Sequence, residues 1–290
     1  MKPVVLSRRL QAVAAMVTVG NRVCDVGCDH GFVPVYLVQQ GISPAVLAMD
    51  VKQGPLSAAR EHIAEHGLED VIETRLSDGL HNYNIDESDT LICAGMGGRL
   101  IMRILSDDQD KTESFRELIL QPQSEMEQFR AWLREQGYRI TKENMIEEDG
   151  KFYPIMRVET NAAHKQDNVP CAYIEMCGCL KQGKSCSYME ILREYRERLN
   201  NVYNNSKCNL IEDRMLCKLL DRYGPFLLLY KDKTLAAYLR REEKIYQKIL
   251  NELRAQGLSD EKRENRYEEV HILLKDCRKA LEIITLKEKT

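Results

Sequence analysis

No apolar run in the sequence approaches the roughly 20 residues that cross a bilayer, which excludes a transmembrane helix. Met1-Lys2-Pro3 leads into a helix-like segment and not into a signal peptide, so the cytoplasm is the expected compartment. Internal repeats and low-complexity tracts are absent, which removes solenoids and compositionally biased tails. The ten cysteines lack the dense, regular spacing of a small secreted scaffold and are expected to stay reduced. Four of them, Cys171, Cys177, Cys179 and Cys186, crowd into sixteen residues, but they make no paired C-x-x-C set and no histidine lies close, so no metal is expected. What is present is a globular balance of 43% apolar and 30% charged residues over 290 positions, enough for one large core or two domains. Charge divides unevenly. Residues 1–160 hold 17 Lys+Arg against 25 Asp+Glu, and residues 161–290 hold 25 against 20. The basic excess of the second half suits a nucleic-acid backbone, and it suits an ordinary solvated helical surface equally well.

Short β-branched runs at Arg22–Val26, Ala45–Asp50, Val71–Arg75, Thr90–Ala94 and Glu117–Gln121 alternate with helix-length segments near 31–40, 54–66, 97–106 and 125–136. That alternation predicts an α/β domain: a doubly wound parallel sheet covered by right-handed crossovers. Two more strands, near Tyr138–Lys142 and Phe152–Val158, are joined through the turn-like Glu148-Asp149-Gly150-Lys151, too short for a parallel crossover. They should form an antiparallel hairpin. Ahead of the first strand, Leu6, Leu10, Val13, Ala14 and Val17 recur at helical spacing and leave Arg8 and Arg9 largely off the apolar face. From about residue 160 the pattern turns polar and then helical, which predicts domains at 1–160 and 161–290. Residues 187–203 and 232–256 carry heptad-like apolar positions. A last helix over 260–287 opens at Ser259-Asp260, and Gly257 marks a coiled-coil-like hairpin.

The stretch Val23-Cys24-Asp25-Val26-Gly27-Cys28-Asp29-His30-Gly31 sets a glycine turn between a strand and a helix, where backbone approaches a ligand closely. A third glycine in the register of a dinucleotide fingerprint is missing, which weakens a pyrophosphate reading. Asp50 ends the second strand, where a carboxylate can accept from both ribose hydroxyls of an adenosine. Ser77-Asp78-Gly79 follows the third strand and Ala94-Gly95-Met96-Gly97-Gly98 the fourth. All of these lie at strand C-termini, the ligand edge of an open α/β sheet. Asp78 is expected to read an adenine amino group. Gly95, Gly97 and Gly98 either form a tight turn into a helix or clear space for a flat ring.

Taken in order, these segments resemble the bacterial tRNA adenine-22 N1-methyltransferases. The likeness runs through Leu6-Ser7-Arg8-Arg9-Leu10, Asp25 to Pro34, Asp50-Val51-Lys52-Gln53-Gly54-Pro55-Leu56, Ser77-Asp78-Gly79-Leu80, Ala94 to Gly98 and Leu120-Gln121-Pro122. It covers about residues 4–158 and returns at Tyr223-Gly224-Pro225-Phe226-Leu227-Leu228, whereas 160–220 match poorly. The resemblance implies a Rossmann-like class I methyltransferase domain, S-adenosylmethionine as cofactor, tRNA as partner, and methylation at N1 of an adenine in the D-arm region. A mostly parallel sheet ending in a hairpin agrees with that class better than with nicotinamide dehydrogenases.

On that reading Asp25, Gly27, Gly31, Asp50, Val51, Asp78, Gly79, Ala94 and Gly95 are expected around the cofactor. Asp29 is expected to be catalytic, its carboxylate favouring the positive charge that spreads into the adenine as N1 takes the methyl. Its alternative role is to hold the cofactor ammonium. His30 orients Asp29, touches the base, or is structural. Arg8, Arg9, Met96, Gly97, Gly98, Gln121, Pro122, Arg240 and Arg241 are expected on the substrate side. Because N1 lies on the pairing edge, the base must be unpaired or extruded, and Tyr153 or Phe32 can stack on it or simply pack. A non-catalytic RNA-binding adaptor on the same fold, or a methyltransferase of another RNA, is the competing reading. A monomer is expected ahead of a dimer.

Overall fold

The computed structural model describes residues 3–160, 213–256 and 261–285, and the chain divides into two compact units, Met1–Glu190 and Ile191–Thr290. The cysteine cluster, the helix expected at 187–203, Gly257 and the Ser259-Asp260 cap lie outside the described residues.

In the first unit, α1 (Arg8–Ala14) is capped by Ser7, whose side chain accepts from the Leu10 N–H. There follow β1 (Val23–Val26), α2 (Phe32–Gln39), β2 (Val46–Asp50), α3 (Gln53–Glu65), β3 (Ile72–Leu76), β4 (Thr90–Met96), α4 (Gly98–Asp107), α5 (Gln109–Ser114), β5 (Glu117–Pro122), α6 (Met126–Glu135), β6 (Arg139–Glu148) and β7 (Lys151–Glu159). The seven strands order as β3-β2-β1-β4-β5-β7-β6, with β1 to β5 parallel and β7 antiparallel to both neighbours. Strands covered on both faces are largely apolar, and β1 and β5 are buried along their whole lengths, with Asp25, Glu117 and Gln121 as their buried polar members. The expected hairpin is present, though β6 reaches Glu148 and carries a register shift between Ile140 and Lys142. Helix α5 has no signature in the sequence, because QDKTES has no apolar period. It is held by the buried Thr112, which donates to the Leu105 carbonyl at 3.0 Å. At the N-terminal edge of the sheet the buried Glu117 accepts from Thr18, Asn21 and Thr90 and pairs with Arg157 at 2.8 Å, so that edge is saturated.

In the second unit, α7 (Asp213–Tyr223) buries Leu216, Leu219, Leu220 and Tyr223 at helical spacing. Gly224, at φ 96°, turns the chain into α8 (Pro225–Leu229), with Pro225 in the first turn, where its missing N–H costs nothing. Helix α9 (Lys233–Ala255) begins with the Asp232 side chain accepting from the Leu235 N–H at 2.7 Å, and α10 (Glu261–Thr285) returns beside it. Arg278 reaches Glu243 at 2.8 Å while Arg254 reaches the Tyr267 hydroxyl, so the two helices run antiparallel, as expected for the hairpin. Leu250, Val270 and Leu274 form an apolar seam between them, and the buried Asp276 is neutralised by Arg222 and Lys218.

Candidate active site

Chain order alone brings the C-terminal ends of β1 to β5 to one edge, and the candidate residues collect there. The β1–α2 turn is built on left-handed backbone at Gly27 (φ 77°), Asp29 (φ 46°) and Gly31 (φ 72°). The Gly27 and Cys28 N–H groups both donate to the Met49 carbonyl, which ties the turn to β2. Asp29 thus takes, as a non-glycine residue, a conformation that glycine adopts freely, and such strain concentrates at functional sites. Its side chain is 74% exposed, with His30 Nε2 3.6 Å away, so the pair projects from the turn as an acid beside an imidazole.

Asp25 lies beneath that turn, 5% exposed. Burial, and then the nearby Asp50, push its carboxyl up to about 7. Asp50 ends β2, with one carboxylate oxygen accepting from the Lys52 N–H at 2.9 Å, and its carbonyl accepts from Ser77 at the end of β3. Val51 beside it is 56% exposed, an apolar face left open next to the ribose candidate. Asp78 pairs with Arg103 of α4 at 3.0 Å. Nothing in the sequence marks Arg103 as a partner, since only the packing of α4 beside the β3 end makes the pair. Gly79 (φ 57°) turns that loop back, and Ser77 Oγ donates to its carbonyl.

The substrate-side candidates are placed as follows within the first unit. Arg8 is exposed, whereas Arg9 folds inward: Nη1 donates to Gln121 Oε1 at 2.9 Å, and the guanidinium lies 5.5 Å from the Tyr153 ring centre. The two arginines therefore do not share one rim. Gln121 is fully buried, and Pro122 beside it is buried as well. Gly98 does not open space for a ring, because a Cβ there would come within 2.6 Å of the Ser124 carbonyl; the glycine lets α4 pack on the β5–α6 turn. At Gly97 a Cβ would lie 3.1 Å from Ser124 Oγ, a tight contact that a rotating side chain can relieve. Gly95, at φ 81° where β4 shifts register after Ala94, remains exposed. Met96 arches over the glycine turn, its Cε where a Gly27 Cβ would fall.

Further along this edge Phe32 packs against His62, ring centres 4.7 Å apart and planes tilted by 58°, and the His62 ring contacts the His30 carbonyl at 3.2 Å. In the second unit Arg240, Arg241, Lys244 and Lys248 are exposed on α9. Among the described residues no group of histidine, cysteine and carboxylate side chains could hold a metal ion, and no helix is long and apolar enough to cross a membrane.

A doubly wound sheet with an antiparallel hairpin at its end, acids at three strand tips and a glycine turn without a pyrophosphate fingerprint defines the Rossmann-like methyltransferase class. A family model for a methyltransferase domain matches residues 6–156. The tRNA (adenine(22)-N(1))-methyltransferase of Bacillus subtilis is 36% identical over 154 residues, which is 53% of this chain and 65% of that protein. A Mycoplasma pneumoniae protein assigned as a tRNA methyltransferase is 32% identical over 163 residues, 56% of this chain and 75% of that one. The crystal structure of a Streptococcus pneumoniae protein assigned as a tRNA (m1A22) methyltransferase superposes with a TM-score of 0.71 at 27% identity, over 96% of this chain and 100% of the other. The same protein has been solved in complex with S-adenosyl-L-methionine, with a TM-score of 0.68. The chain belongs to the methyltransferase-domain family that this model describes, and its sequence is similar to tRNA methyltransferases, the adenine-22 N1 enzyme of B. subtilis among them. The sequence match spans just under two thirds of the B. subtilis enzyme's length.

Proposed function

We propose that this protein transfers a methyl group from S-adenosylmethionine to N1 of adenine 22 in tRNA. The observation that carries the reading is the set of carboxylates at the ends of β1, β2 and β3, gathered around a glycine turn, where Arg103 pairs with Asp78 and leaves Asp25 and Asp50 without a cation among the described residues. Asp25 in particular has lost hydration without gaining a cationic partner. That acidic edge fits an adenosine bearing a sulfonium and an ammonium group. Val51 supplies an apolar face for its base, and Asp50 an acceptor for its ribose hydroxyls.

When bound, the cofactor supplies an electrophilic methyl. The chain's own work is to hold the reactants in line and to complement the charge that develops. Gly27 and Gly31 let backbone approach the ligand, while Ala94, Gly95 and Gly79 shape the neighbouring strand ends. Asp78 reads the adenine amino group once its pairing with Arg103 is shared or exchanged. The Asp29 carboxylate, steadied by His30, faces the target base and favours its cationic product over the neutral ground state. Adenine N1 carries its own lone pair near neutral pH, so no general base is required. Gln121, Pro122 and Met96 line the substrate side. Domains at 1–160 and 161–290 divide the labour, the second gripping RNA through Arg240 and Arg241. The protein acts as a monomer in the cytoplasm.

Tritium transfer from labelled S-adenosylmethionine to bulk bacterial tRNA, followed by nucleoside analysis, tests the reading. Label in 1-methyladenosine is expected. Label in another nucleoside, or none, would overturn it.

A further inference from the structure

The Arg9 guanidinium is a half-buried charge with no carboxylate paired to it among the described residues. Glu148 is near, but its Oε1 accepts from the Arg9 backbone N–H at 3.4 Å and makes no ion pair with the guanidinium. The partners of the head group are neutral: the Gln121 amide oxygen and the face of Tyr153. Gln121 is fully buried and its Nε2 donates to the Pro122 carbonyl, so the oxygen presented to Arg9 has a fixed orientation. Bringing a cation this far inward costs desolvation that a neutral amide and a ring only partly offset, and a cation held so awaits an anion. It also has donors to spare. Nη1 serves Gln121, and Nε and Nη2 have no partner among the described residues.

The guanidinium borders the exposed Gly95 turn through Nη1, whose second hydrogen is not used by Gln121. A methyl group on Gly95 would lie 3.5 Å from Arg9 Nη1 and 3.8 Å from Gln123 Nε2, so two nitrogen donors border a niche with a side-chain-free floor. Four separate segments build it, from α1, the end of β4, the end of β5 with its following turn, and β7. Its charge suits an oxyanion. It is unsuited to the adenine edge itself, where a cation would oppose the positive charge that methylation creates.

We infer that Arg9 and Gln123 form a phosphate niche at the Gly95 turn that holds the backbone of the target nucleotide, with Gln121 and Tyr153 as positioning residues for the guanidinium. The inference rests on the proposed RNA substrate and deepens it, because a phosphate fixed at β4 sets where the extruded base enters. A planar fork suits a phosphate better than a point charge does.

The experiment uses the full chain, measuring tRNA binding across a salt series, steady-state methylation, and calorimetric binding of S-adenosylhomocysteine and of methylthioadenosine, which lacks the amino-acid carboxylate. Arg9→Gln is expected to weaken tRNA binding about tenfold and to reduce the salt slope by roughly one, leaving both nucleoside affinities within about twofold. Arg9→Lys, which keeps a cation at the site and so guards against misfolding, should keep the slope and recover part of the affinity. Gln123→Ala, at an exposed position, should weaken tRNA binding by about threefold without changing the slope. A loss of S-adenosylhomocysteine affinity with methylthioadenosine unaffected would overturn the inference, because the anion would then be the cofactor's carboxylate. Unchanged tRNA affinity and slope in Arg9→Gln would overturn it as well. If the wild type bound tRNA without methylating it, the functional reading would fail while the salt series still decided the phosphate.

Discussion

Asp25 illustrates how a single carboxyl can be set against the fold that holds it. Its ordinary value of 3.8 rises to about 7 in the folded chain, first through burial and then through Asp50. The folded state therefore keeps a proton that the unfolded chain has already released. Stability from this group is complete below about pH 3.8, declines as pH rises, and is lost beyond about 7. Asp25→Asn should consequently stabilise the cofactor-free protein increasingly between pH 5 and 7 and level off above, reaching roughly 1–4 kcal/mol at pH 8.5. Urea unfolding of both proteins across that range measures it, and a pH-independent difference would contradict the shift. The other acids of this edge should separate by role. Asp50→Ala should lose about 1–3 kcal/mol of S-adenosylhomocysteine affinity by calorimetry, since ribose hydroxyls lose an acceptor. Asp29→Ala should fold normally and lose turnover far more than affinity, and an equal loss of both would return Asp29 to the ammonium-holding role.

Among the elements, α3 and α4 each carry a glycine in the first turn, and the two should respond to different degrees. A methyl group added at Gly54 would meet nothing within 4 Å outside its chain neighbours, but it would crowd the Pro55 ring, which disfavours helical backbone in the residue before it, so the propensity gain of Gly54→Ala is largely offset and stability should change by less than about 0.5 kcal/mol. Gly98→Ala gains the same propensity but drives a methyl to 2.6 Å from the Ser124 carbonyl, and backbone must give way. A net loss of roughly 1–3 kcal/mol is expected. Chemical denaturation midpoints distinguish them, and a stabilised Gly98→Ala would show that the β5–α6 turn yields easily. The contrast also marks the reach of sequence reasoning at this scale. Strands β1, β2, β4 and β5 are legible from their short, largely apolar runs, and the more exposed β3, IETRL, from its place in the strand–helix alternation. The short α5 is not, because a polar hexapeptide held by one buried threonine has no period to detect. Helix α7 is legible in principle from Leu216, Leu219, Leu220 and Tyr223, but its pattern adjoins a stretch that matches the family poorly and is hard to pick out there.

At the scale of the whole molecule, the proposed tRNA substrate sets an acidic first half against a polyanion, and the basic excess lies in the second half. On α9, Arg240, Lys244 and Lys248 recur at intervals of four and so lie along one helix face for about 12 Å. A fragment ending at Thr160, whose hydroxyl donates to the Phe115 carbonyl and belongs with the first core, should fold and bind S-adenosylmethionine while losing most tRNA affinity. Charge reversal of Arg240 and Arg241 should weaken binding and flatten its salt dependence. A fragment that methylates tRNA as well as the full chain would show the hairpin to be dispensable. The sequence by itself determined the α/β class, the helical second part, and the gathering of Asp25, Asp50, Asp78 and the glycine turns at one sheet edge. Parallel strands joined by right-handed crossovers leave their C-terminal ends on one side whatever the packing. Only the tertiary structure decided which of those residues are committed to one another. Arg9 meets Gln121 across 112 positions, Asp78 meets Arg103 across 25, and Gly98 yields its space to Ser124. Such pairings depend on strand order and helix packing, which no local window of residues encodes.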